Sequence, residues 1–184
     1  MSMRMKKGML AGLLVLAMGS VASPVLAAQP GPQDADSACA GTGPVLPDEL
    51  AGWATPESAT AAANAAGLAA MVLVPGRAVS ARLHPVSKME YVLPPEQAGA
   101  PDSTGGMVVF QAPVAGTYRV MLGQKAWLDV VHGGETTASV HHQHGPACSG
   151  IGKMVDFELP AGRSVIELSA ASTPEIEIMV TAVP

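Results

Sequence analysis

The sequence predicts an all-β chain, an antiparallel, jelly-roll-like β-sandwich of about eight to ten short strands behind an irregular N-terminal lead. Three observations predict it. From Leu68 onward, short apolar runs recur about every ten residues with Gly, Pro or Asp-type breaks between them. Several of these runs alternate strictly: Tyr118, Val120 and Leu122 share one face, as do Ile176, Ile178 and Val180, with Glu175 and Glu177 turned to water. The segment His132-Gly133-Gly134-Glu135 places a Gly-Gly centre between two such runs, the signature of a two-residue hairpin.

At the N-terminus, Arg4, Lys6 and Lys7 precede an apolar run from Met9 to Ala22, and Val25-Leu26-Ala27 supplies the small or aliphatic residues that a signal peptidase reads. The run is broken by Gly19-Ser20 and Ser23-Pro24, so it falls short of the roughly 20 apolar residues of a membrane span. Residues 1–27 are therefore read as a secretory signal cleaved after Ala27, with no transmembrane segment remaining and a soluble, periplasmic product. No cysteine directly follows the run, which argues against lipid anchoring. The leader carries three of the ten basic residues and none of the fifteen acids, so the net charge of −5 becomes −8 in the mature chain. That balance excludes nucleic acid as a partner. The two cysteines, in an oxidising compartment, predict a Cys39–Cys148 disulfide. Closing so long a loop adds about 4–5 kcal/mol in the chain-entropy picture.

Residues 28–67 read as a Gly/Pro/Ala-rich lead and residues 68–184 as the sandwich domain. Within the lead, Pro47-Asp48-Glu49-Leu50-Ala51-Gly52-Trp53 has Pro and acids at its start and Gly near its end, as one helical turn does. Trp53 then plugs the domain edge. Ser58 to Ala70 suits helix and coil equally. The strands expected in order are 69–74, 78–84, 89–93, 107–111, 116–122, 126–131, 136–141, 153–159, 164–170 and 175–182. Two stretches echo each other, one from Val109 to Val120 and one from Asp156 to Ile166. Each has a Phe-led strand, a corner with Pro and Gly, and a new alternating strand.

Pairing outward from Gly133-Gly134 sets His132 opposite Glu135, Asp129 opposite Ala138, Trp127 opposite Val140 and Lys125 opposite His142. Trp127 and Val140 then share the core face. His132, at the hairpin tip, lies about 23 Å from His142 along such a strand. It therefore stands apart from the densest chemistry in the chain, His141-His142-Gln143-His144 followed by Cys148.

Imidazoles suit Cu, Zn or Ni. The expected ligands are His142 and His144, with His141 or His84 assisting, because the disulfide removes the Cys148 thiolate. The alternative is a solvated, disulfide-anchored loop whose histidines bind nothing. Ser139 and Ser149 lack the strand-turn-helix elbow of a nucleophile. Gly150-Ile151-Gly152-Lys153 lacks the full phosphate-loop pattern, so Lys153 reads as a surface or loop-packing residue. An aromatic content of 3% leaves few stacking platforms for sugars. The methionines beyond the leader sit at strand positions and read as core filler.

The chain from about Pro75 onward resembles a family of small exported proteins of sphingomonad-type bacteria, through Leu83-His84-Pro85, Gly116-Thr117-Tyr118-Arg119-Val120, Ala126-Trp127-Leu128-Asp129-Val130-Val131 and the run from His144 to Phe157. Some members of that family carry the label homogentisate 1,2-dioxygenase. The label implies a ring-cleaving, Fe(II)-dependent enzyme, with two histidines from His84, His142 and His144 and an acid such as Asp129 or Glu90. Homogentisate dioxygenases themselves are much longer cytoplasmic cupins holding iron through two His and a Glu, a pattern this chain does not match residue by residue. The leading expectation is therefore a non-catalytic periplasmic binding or accessory protein, with an envelope protein as its partner if it takes no small ligand.

Overall fold

The computed structural model describes Cys39 and residues 46–184; the expected leader and most of the early lead lie outside the described residues. Twelve strands run through the described residues: β1 (Glu57–Thr60), β2 (Val72–Leu73), β3 (Val79–Arg82), β4 (His84–Pro85), β5 (Thr104–Ala112), β6 (Gly116–Leu122), β7 (Trp127–His132), β8 (Glu135–Thr137), β9 (Ser139–Gln143), β10 (Lys153–Leu159), β11 (Gly162–Ala171) and β12 (Glu175–Ala182). They form two packed sheets, ordered β1-β3-β12-β6-β10-β9 and β2-β5-β11-β7-β8, with β4 beside β5. Without the accessory strands β1, β2, β4 and β9, the order β3-β12-β6-β10 faces β5-β11-β7-β8. The first strand lies beside the last, and consecutive strands mostly alternate between sheets, which is jelly-roll topology. The predicted sandwich is present.

Its sheets are mixed rather than purely antiparallel, because β1 pairs with β3 and β2 with β5 in parallel. Both pairs arise early in the chain, where successive strands fall in opposite sheets and the chain visits the other sheet before returning. That excursion supplies the long crossover a parallel pair requires. Ser58–Ala70 turns out to be neither one helix nor coil, but β1 followed by a 3-10 helix at Ala65–Ala70 that the Asn64 side chain caps. The strand expected at 69–74 shortens to β2 accordingly.

Alternation buries a face of each of the longer strands, β5, β6, β10, β11 and β12, between the sheets. Phe110 and Tyr118 meet edge-to-face there at 5.0 Å, with Val120, Leu122, Phe157, Ile166, Ile176 and Ile178 packed around them. The two echoing stretches both prove to be corners where the chain changes sheets, β5 to β6 and β10 to β11. The outer face of the first sheet presents Met121, Met154 and Met179 to Leu50 and Trp53 of the 3-10 helix Asp48–Ala54. Trp53 is thus the plug that its sequence context predicts.

The outer face of the second sheet presents Met107, Val109, Val131 and Val165 to a strap carrying Met89, Tyr91 and Leu93. The sequence predicts a strand at 89–93, and the strap keeps its period of two, yet it is not a strand. The reason is chemical: the Val92 and Leu93 amides donate to the Glu167 side chain rather than to a neighbouring backbone. The Cys39–Cys148 disulfide is formed, with Cα atoms 5.4 Å apart. Among the described residues, no helix is long and apolar enough to cross a membrane.

Candidate functional site

The hairpin begins as its Gly-Gly turn dictates, with His132 opposite Glu135, Val131 opposite Thr136 and Val130 opposite Thr137. Gly133 and Gly134 take φ of +62° and +86°, the left-handed values that such a turn requires. Pairing then stops. At Ala138 the chain leaves the second sheet, and β9 pairs with β10 in the first. The expected pairs Asp129–Ala138, Trp127–Val140 and Lys125–His142 therefore do not form. Val140 is 55% exposed rather than packed on Trp127. The competing attraction is the edge of β10, a buried strand whose backbone groups would otherwise lack a partner.

This departure opens a cleft of about 590 Å³ between the sheets. Leu128, Val155 and Phe157 form its apolar floor, Trp127, Asp129 and Glu96 one wall, His142 the other, and Thr136 to Ser139 the rim. The walls are held in place. Trp127 Nε1 donates to Asp129 Oδ1 at 3.0 Å, and Asp129 Oδ2 accepts the Glu96 amide at 3.1 Å. Lys153 shares the inward face of β10 with Val155 and Phe157 and donates from Nζ to the Ala126 carbonyl at 2.8 Å. Burial pushes its ammonium below the ordinary lysine value, against an opposing pull from Asp129. Among the described residues no carboxylate lies within ion-pair distance of it.

The predicted site residues are distributed rather than gathered. His142 pairs with Val155 across β9 and β10 and so takes the cleft side, whereas His141 pairs with Asp156 on the opposite face. There His141 Nδ1 lies 3.8 Å from an Asp156 carboxylate that Arg119 holds through two bonds of 2.7 and 2.8 Å. His144 Nδ1 donates to the Gly152 carbonyl at 2.9 Å. His84 Nε2 donates to the Ala61 carbonyl at 2.8 Å, at the β4–β5 edge. His132 sits 3.0 Å from the Ser164 hydroxyl. Among the described residues, no three His, Cys, Asp or Glu side chains converge as a metal set. Of the acids considered for iron, Asp129 has both oxygens engaged, and Glu90 belongs to the strap.

Three residues of interest escaped the sequence reading. Lys153 reads there as a surface or loop-packing residue, although its period-two spacing with Val155 and Phe157 is the signal that places it inward. Glu96 sits in a segment without a period. Glu167 lies within an apolar strand yet is only 1% exposed. Its Oε1 accepts the Val92 and Leu93 amides at 2.7 and 3.2 Å, and its Oε2 is buried without a partner among the described residues. Burial raises its carboxyl above the ordinary range, and its register partner Asp129 adds to the shift. Tyr91, which donates to the Leu168 carbonyl at 2.9 Å, is pushed up to about 12 by burial and by the charge of Glu167.

The chain matches no protein-family model, no curated protein and no solved structure in the comparisons made.

Proposed function

We propose that this protein is an exported, periplasmic binding module that acts by recognition rather than catalysis, with the cleft beside β7 as its recognition site. One observation carries the reading: an apolar floor, a fixed indole, a half-buried ammonium and an imidazole, remote in sequence, line one opening between the sheets. Concave apolar sites with a few convergent polar groups are the usual form of a ligand site. The indole is pre-positioned by Asp129, which lowers the ordering cost of binding. The leader sequence and the disulfide support export. A fragment screen followed by amide NMR tests the site. Shifts are expected at 127–129, 136–142 and 153–157; hits that shift only other regions, or none at all, reject it.

A transition metal at His142 and His144, with His141 or His84 assisting, is the second reading, and a specific contact favours it. A carbonyl only accepts, so the bond to Gly152 places the proton of neutral His144 on Nδ1 and leaves the Nε2 lone pair for a metal. Titration calorimetry of the oxidised protein with Cu, Zn and Ni is expected to show saturable binding that is lost when His141, His142 and His144 are all changed to Ala. Equal heats from both proteins dispose of the metal.

A further inference from the structure

The free edge of β7 identifies what the cleft is shaped to hold. In an antiparallel ladder, successive residues aim their N–H and C=O groups at alternate neighbours. The two-residue turn makes His132 and Glu135 a hydrogen-bonded pair, so Val130, Leu128 and Ala126 aim theirs toward the β8 side. Strand β8 pairs no further than Val130, and beyond it that side of β7 faces the cleft. Leu128 has no strand partner there among the described residues, and the Ala126 carbonyl receives the Lys153 ammonium. A short length of strand is missing from the sheet, over an apolar floor, with an ammonium at its far end.

We propose that an extended peptide C-terminus fills this gap, adding a strand to β7 in the line that β8 abandons, with its carboxylate on Lys153. The inference rests on the cleft being the recognition site and names its occupant. Orientation follows from charge. A peptide continuing the line of β8 runs antiparallel to β7, which brings its C-terminus to Ala126 and Lys153, where an ammonium with no carboxylate of the described residues within ion-pair distance waits. The reverse orientation sets an amino terminus against that ammonium. Main-chain bonds to Leu128 supply sequence-independent affinity, and side-chain alternation supplies the preference. The residue opposite Leu128 points inward onto Val155 and Phe157 and is apolar. The residue before it, opposite Asp129, shares a face with that carboxylate and with Glu96, which favours a basic side chain.

The test is fluorescence anisotropy with dye-labelled hexapeptides ending in Lys-X-Thr, where X is Val, Leu, Phe or Ala, each as free acid and as C-terminal amide, on the oxidised protein. At least one free acid is expected to bind, its amide at least ten-fold more weakly. Lys153→Met is expected to bring the acid down to the level of the amide, and Lys153→Arg to retain most of the difference. Acid and amide binding equally well overturns the role of Lys153. If no peptide binds while fragments still shift the cleft amides, the peptide is rejected and the recognition site survives. If neither binds, both fall together.

Discussion

Glu167 shows most directly how one buried group is tuned by what surrounds it. It faces Asp129 across the β11–β7 ladder and Tyr91 from the strap, and two strap amides bind one of its oxygens while the other has no partner among the described residues. The amides favour the carboxylate, but desolvation outweighs them and the folded value rises. A raised carboxyl stabilises the fold fully below its unfolded value of about 4.3, and that contribution is lost as pH climbs through the folded value. Wild type should therefore lose thermal midpoint relative to Glu167→Gln as pH goes from about 4 to about 8. Two parallel curves would show that Glu167 titrates normally. Lys153 follows the same physics with the opposite sign, burial disfavouring its charged form. Neither shift is legible in sequence, because each depends on atoms contributed by distant segments.

At the scale of elements, the hairpin of β7 and β8 was legible to its third pair and no further. Its turn is local chemistry: Gly133 and Gly134 supply two positive φ values that the chain needs at adjacent positions. Gly133→Ala should lower stability by about 1–2 kcal/mol, and Gly133→Asn by clearly less, since Asn tolerates the left-handed region. Urea unfolding of the two variants measures the difference, and equal losses would mean that the turn is not held as described. Where the hairpin ends is a different matter. Ala138 carries no break signal, and Thr136–His141 reads as one strand. The run divides because β10 offers a second ladder from Met154 to Phe157. The strap makes the same point in reverse, with strand periodicity at Met89, Tyr91 and Leu93 but a carboxylate in place of a partner strand.

The whole molecule closes through long-range ties, above all a disulfide spanning 109 residues between the lead and the loop after β9. Changing Cys39 and Cys148 together to Ser should lower stability by about 2–5 kcal/mol while the sandwich core persists, which urea midpoints and far-UV dichroism would check. An unchanged midpoint would show that the lead contributes no constraint in solution. The all-β class, the bounds of β6, β10 and β12, the helical turn bearing Trp53 and the cysteine pairing were determined by the sequence alone. Alternation, caps and turn residues act over a few positions, and two cysteines leave a single pairing. The tertiary structure alone decided that β8 and β9 belong to different sheets, that His142 rather than His141 takes the cleft side, and that Lys153 and Trp127 meet at one cleft. Those outcomes turn on which strand edge a segment finds first and what then covers it, a competition among segments far apart in the chain that no local pattern records.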